Sequence, residues 1–181
     1  MVRELGWGSQ QFSNVQSVNE AFPDKNLIFT EGCIGNFDLT KVNDWSHGEQ
    51  YGESMINDFN NGTVGWTDWN VLLDEQGGPN HVQNFCFAPV HYNTKTNELI
   101  YNNEFFYIGH FSKFVKPGAR RISIASTKSF LLTTAFQNTD GKIAVIVMNQ
   151  GDKNQSCLIC INGKSAKSTI PERSISTIVI E

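Results

Sequence analysis

The chain has 181 residues, 14 Lys and Arg against 18 Asp and Glu, a formal charge of −4 and four cysteines. Its 39% hydrophobic and 18% charged content supports a packed core and excludes wholesale disorder. The acidic balance argues against a nucleic-acid footprint, which needs a basic face. The longest apolar run, Ile143 to Met148, is far short of the ~20 residues of a transmembrane segment.

The first residues, Met1-Val2-Arg3-Glu4, lead into no apolar segment, so no signal peptide is expected in this chain. Ser13-Asn14-Val15-Gln16 reads as a capping box, with Ser13 as N-cap and Val15, Val18 and Phe22 following at helical spacing. Pro23-Asp24-Lys25 stops that helix, and residues 26–30 form a short, mostly apolar strand. A second helix carries Tyr51, Met55, Ile56 and Phe59 on one face and ends at Asn60-Asn61-Gly62, before a strand at 64–67. An aromatic, glycine-rich excursion (69–101) precedes a third helix marked by Phe106, Tyr107, Ile108, Phe111 and Phe114 and stopped by Pro117-Gly118. Helix, strand, helix, strand, helix is the rhythm of a parallel α/β architecture.

The periodicity changes near residue 119. Runs at 122–126, 130–136, 142–148, 156–161, 164–170 and 175–180 are rich in β-formers and separated by turns such as Asn138-Thr139-Asp140-Gly141 and Asn162-Gly163. Their spacing predicts an antiparallel β-sandwich of about six strands over 119–181, behind an α/β part over 1–118. Cys157 and Cys160 form a C-x-x-C pair, but on a strand residues three apart point to opposite faces, so two separate thiols are expected rather than a ligand pair. His47, His81, His91 and His110 show no zinc spacing; the last three read as surface or structural histidines.

Parallel α/β sheets place their working residues just past the C-terminal ends of strands. Here one strand runs into Glu31-Gly32-Cys33 and the next into Asp68-Trp69-Asn70. A carboxylate beside an indole and an amide suits a sugar: the indole face stacks on a pyranose ring and the polar groups bond its hydroxyls. Plainer roles compete for each residue. Glu31 could be an ordinary ion-paired glutamate, Trp66 a core residue, Trp69 a packing residue under the excursion and Asp68 an anchor for a neighbouring N–H. Asp74-Glu75 reads as a solvated turn that could also hide a second acid.

The segments FTEGC (29–33), HGEQYG (47–52), VGWTDWNVLLDEQGGPNHVQNF (64–85) and YIGHFSKFVKPGARRI (107–122) resemble glycoside hydrolase family 30, within it the glucosylceramidase and β-1,6-glucanase group. The match is nearly collinear from about Phe22 onward. The resemblance implies the C-terminal part of a (β/α)8 TIM barrel, strands seven and eight with their helices, followed by an antiparallel β-sandwich. It also implies a retaining mechanism that uses two carboxyl groups and no metal or organic cofactor. By that resemblance Glu31 is the nucleophile, and Trp69, Asn84, Phe85 and Cys33 contact substrate, with Asp68 supporting the pocket. The implied partner is a β-glucoside or glycolipid, and extracytoplasmic or lysosomal placement follows from resemblance alone. The family's acid/base glutamate lies in an Asn-Glu-Pro motif, and this chain has none: its Asn-Glu pairs at 19–20, 97–98 and 103–104 precede Ala, Leu and Phe. A closed eight-stranded barrel needs roughly 200 residues or more. The expectation is therefore a C-terminal fragment that lacks the N-terminal barrel portion and is inactive by itself.

Overall fold

A computed structural model describes residues 10–181, which divide after Ile108 into two units. The expected leaderless start at Met1-Val2-Arg3-Glu4 lies outside the described residues.

In the first unit, α1 (Gln10–Ala21) leads to β1 (Leu27–Phe29), and α2 (Trp45–Asn60) leads to β2 (Thr63–Trp66). The strands pair in parallel, Phe29 beside Trp66 and Ile28 beside Gly65; the register slips between Leu27 and Ile28, so that Val64 is the extra residue of a bulge. Phe29 and Trp66 stack at 4.8 Å and 13°, and Trp66 also meets Tyr51 of α2 at 5.5 Å. This face of the pair is the covered one. On the other face Ile28 is 49% exposed, and Val64 at the bulge is 60% exposed.

The periodic reading of α2 holds, because Tyr51, Met55 and Ile56 are buried one helical turn apart. Asp44 caps its start by accepting from Ser46 N–H at 2.9 Å. Gly62 follows its end at φ +105°, where a Cβ would fall 2.4 Å from Asn19 Cγ of α1, so glycine is required there twice over. The capping box at Ser13 is a correction. α1 already begins at Gln10, Ser13 lies inside it, and the Ser13 carbonyl accepts from Ser17 Oγ. A Ser-x-x-Gln pattern has no way to signal that a helix started earlier.

The excursion at 69–101 contains a three-stranded sheet that periodicity did not reveal: β3 (Leu72–Asp74), β4 (Val90–Asn93) and β5 (Glu98–Tyr101), ordered β3-β4-β5, with β3 parallel and β5 antiparallel to β4. Strands of three and four residues are too short for alternation to register. The turn at Asp74-Glu75 is not simply solvated. Asp74 Oδ1 accepts from the N–H groups of Gln76 and Gly78, and Glu75 is buried, accepting from the N–H and hydroxyl of Thr94. Both carboxylates are spent on holding turns. α3 (Asn103–Ser112) follows; of the residues that mark it, Tyr107 and Phe111 are buried and Phe106 is 55% exposed.

The second unit is an antiparallel sandwich. Its larger sheet runs β11-β8-β7-β6, made of β6 (Arg120–Ile122), β7 (Leu131–Gln137), β8 (Ile143–Asn149) and β11 (Ser174–Ile180). The smaller sheet pairs β9 (Gln155–Ile161) with β10 (Lys164–Ile170). β8 is buried from Ala144 to Asn149, which is why it reads as the longest apolar run rather than as an alternation. Leu131, Ala135, Val145, Val147 and Ile170 form the core between the sheets, and Cys157 packs on it. Cys160 is exposed on the other face of β9. The first strand ends at Ile122 rather than beginning there, because residues 123–126 leave the ladder.

Candidate functional site

The site is built where β1 and β2 end. The parallel ladder continues past the strands: Thr67 N–H donates to Phe29 C=O at 2.9 Å, and Trp69 N–H donates to Gly32 C=O at 2.8 Å. That second bond sets the Glu31-Gly32-Cys33 segment beside Asp68-Trp69. The Trp69 indole is 49% exposed. Glu31 is partly exposed, and among the described residues no hydrogen bond or ion pair engages its carboxylate.

Asp68 is held from two sides. Its Oδ1 accepts from the Tyr51 hydroxyl at 2.8 Å and from Trp69 N–H at 3.0 Å, while Oδ2 is buried with no hydrogen-bond partner. Burial pushes its carboxyl up to about 7; the two hydrogen bonds work the other way, and the charge on Glu104 adds to the rise. Tyr51, fully buried on α2, has its hydroxyl held well above the ordinary phenol range by burial and by Asp68. The sequence pattern showed Tyr51 only as a core residue, since nothing in helical spacing reveals where a buried hydroxyl points.

A third segment arrives from the excursion. Phe87 N–H donates to Ile34 C=O at 2.8 Å, Phe37 N–H to Phe85 C=O at 3.2 Å, and Gly35 bridges Cys86 in antiparallel fashion. The loop that ends in Asn84, Phe85 and Cys86 is thus zipped to the segment following Glu31. Gly77 permits this approach: its φ is +79°, and a Cβ there would lie 2.5 Å from Phe37 Cγ and 2.7 Å from Cys86 O. The Gly78–Pro79 peptide is cis. Asn84 is exposed, its N–H bonded to Asn80 Oδ1 at 3.2 Å, and Phe85 is half-buried. Cys33 Sγ lies 3.2 Å from Cys86 Sγ.

Trp66 is an inward-facing residue, its Nε1 donating to the buried Asp58 carboxylate at 3.2 Å. His91 is a satisfied structural histidine: Nε2 accepts from Ala88 N–H at 3.0 Å and Nδ1 lies 2.7 Å from Asp74 C=O, the pattern of an Nδ1-protonated ring. His47 pairs with Glu104 at 3.4 Å, both buried, a meeting of α2 and α3 that neither helix pattern announces. Among the described residues no cluster of three or more His, Cys, Asp or Glu side chains is arranged to hold a metal ion. A cavity of about 80 Å³ lies among α1, β1 and β2, lined by Val15, Val18, Leu27 and Asp58. A groove of about 360 Å³ runs beside β9 in the sandwich. Neither is lined by Glu31, Asp68 or Trp69.

Comparison with known proteins adds to this geometry. Residues 9–115 match the glycosyl hydrolase family 30 TIM-barrel domain, and residues 118–178 match the glycosyl hydrolase family 30 beta sandwich domain. The lysosomal acid glucosylceramidase of Mus musculus is 34% identical over 137 residues, covering 74% of this chain and 27% of that protein. Among solved structures, SrfJ from Salmonella typhimurium superposes with a TM-score of 0.92 at 33% identity, over 99% of this chain and 40% of that one. The endo-β1,6-glucanase BT3312 superposes with a TM-score of 0.84 at 28% identity, over 97% and 39%. The chain thus spans well under half the length of each.

Proposed function

The chain belongs to glycoside hydrolase family 30, and from that membership we propose that it carries the nucleophile side of a retaining β-glycosidase site, with Glu31 as the attacking carboxylate. The observation that carries this reading is the bond from Trp69 N–H to Gly32 C=O at 2.8 Å, which gathers the ends of two parallel strands into one surface. Glu31 has free lone pairs with which to attack an anomeric carbon and form a covalent glycosyl-enzyme. The Trp69 indole offers an exposed face for stacking on the sugar ring. Asp68, fastened to Tyr51 and to Trp69 N–H, is a positioning residue, because Oδ1 accepts from those two donors and Oδ2 is buried away from the surface. Cys33, Asn84 and Phe85 line the substrate side.

Retention needs a second carboxyl group roughly 5–5.5 Å from the first. In this reading it comes from sequence outside these 181 residues, since no Asn-Glu-Pro is present and Asp74 and Glu75 are committed to turns. The substrate class is β-glucosides of the glucosylceramide type. The mouse glucosylceramidase supports that choice, while the glucanase neighbour keeps β-1,6-glucans as the alternative specificity. General acid catalysis contributes roughly 10²–10⁴-fold, so the isolated chain is expected to show negligible hydrolysis of an aryl β-glucoside. Turnover that disappears in Glu31→Gln would overturn that expectation.

The partly exposed Glu31, with no second carboxylate of the mechanism in these residues, favours one second reading, a non-catalytic remnant or carbohydrate-binding or interaction module. Sugar binding without any labelling of Glu31 by an activated fluoro-glucoside separates it from the first.

A further inference from the structure

The four cysteines are all reduced in the structure, but two of them, 53 positions apart in sequence, meet: Cys33 Sγ and Cys86 Sγ are 3.2 Å from each other. Their backbones are already zipped by the Phe87-to-Ile34 and Phe37-to-Phe85 hydrogen bonds and by the bridge between Gly35 and Cys86. A disulfide needs an S–S separation near 2.05 Å, so the sulfurs have only about 1.2 Å to close, within reach of side-chain rotation. The Cys86 thiol donates to Asn84 C=O at 3.4 Å, and the Cys33 thiol points at Cys86. Cys86 is 1% exposed and packs with Leu73 and Ala88, and Cys33 lies partly open beside them.

We propose that Cys33 and Cys86 are a dithiol site that oxidises to a disulfide, latching the 77–87 loop onto the segment that follows Glu31. The inference stands on these two side chains and does not depend on the role given to Glu31. With a neutral aliphatic disulfide as oxidant, the partly exposed Cys33 thiolate attacks one sulfur and expels one equivalent of thiol. Cys86 then loses its proton and attacks the Cys33 sulfur of the mixed disulfide, expelling the second. One protein S–S bond forms, two protein S–H bonds are lost, and the reagent is reduced to two thiols. Burial first, then Cys86 itself and the charges of Asp68 and Glu31, push the Cys33 thiol well above the usual range. The thiolate is therefore scarce near neutrality, and exchange is slow. The nearby carboxylates also disfavour an anionic oxidant, so hydroxyethyl disulfide is the suitable reagent.

The test incubates the folded 181-residue chain with hydroxyethyl disulfide for hours, quenches in acid, unfolds and alkylates. An unreduced tryptic map should join peptide 26–41 to peptide 42–95, and the joined species should weigh two hydrogens less than the two reduced peptides together. Cys157 and Cys160 should not enter that crosslink, the exposed Cys160 taking at most a mixed disulfide with the reagent; dithiothreitol should restore all four thiols, and the joined peptide should be absent from Cys86→Ser. The same treatment in guanidinium should lose the preference for this pair. The proposal is overturned if Cys33 and Cys86 both remain alkylatable after native incubation. It is equally overturned if Cys33 stops at the mixed disulfide, or if either residue pairs with Cys157 or Cys160.

Discussion

Asp68 is the residue whose chemistry is most altered by the fold. Its carboxyl titrates near 7 in the folded chain against 3.8 for the free side chain, because burial outweighs the hydrogen bonds from Tyr51 and Trp69 N–H. A folded value above the unfolded one means that the contribution to stability is full below about 4 and is lost as pH rises through about 7. Above that pH the buried carboxylate is ionised at a cost on the order of 2–4 kcal/mol. His110, held below its ordinary value by burial, has the opposite sign, so the comparison with a variant isolates Asp68. Asp68→Asn keeps an acceptor for both donors and should flatten the dependence of melting temperature on pH between 5 and 8, with the variant the more stable at pH 8. Tyr51→Phe removes the 2.8 Å donor while leaving the ring. It should lower stability at pH 8 by about 1–3 kcal/mol in urea titrations and move the Asp68 midpoint, followed by carboxyl carbon NMR, upward. None of this is legible in the sequence, where Asp68 and Tyr51 are 17 positions apart and their meeting depends on the side-chain directions of a packed helix and a strand end.

At the scale of elements, α2 is legible because it is long enough to show its period, β8 because it is an unbroken apolar run, and the sandwich strands because their turns carry Gly, Asn and Pro. β3, β4 and β5 are not: unlike the equally short β1 and β2, each of which follows a helix, they lie inside the excursion with too few residues for alternation to register, and they organise the loop that reaches the site. That loop depends on one glycine. Gly77→Ala places a methyl against Phe37 and the Cys86 carbonyl at positive φ, where a side chain is strained as well as crowded. The variant should speed hydrogen exchange at the amides of Phe37, Cys86 and Phe87 by at least about tenfold, equivalent to 1.4 kcal/mol of local opening, while amides of β7 and β8 stay protected. Uniform loss of protection across both units, or no change at these three amides, would contradict that assignment. The strand-end residues of the candidate site are legible in kind, since polar and aromatic residues past β1 and β2 stand out. Their juxtaposition is visible only in the ladder that continues from Phe29–Thr67 to Gly32–Trp69.

At the scale of the whole molecule, the chain holds a family 30 barrel portion and a family 30 sandwich. The barrel portion has two parallel strands with one covered face; Ile28 stands bare on the other, where a complete barrel would pack its interior. No helix among the described residues is long and apolar enough to cross a membrane. On the proposed reading the chain supplies one carboxylate of a two-carboxylate mechanism, and the other belongs to further sequence. The most direct test is mechanism-based labelling. The chain is combined with a family 30 barrel portion bearing Asn-Glu-Pro until it turns over an aryl β-glucoside, then treated with an activated 2-deoxy-2-fluoro-glucoside. The expected result is one fluoroglycosyl group on Glu31 within tryptic peptide 26–41, with labelling and turnover both lost in Glu31→Gln. Label on a different residue, or turnover that survives Glu31→Gln, would contradict it.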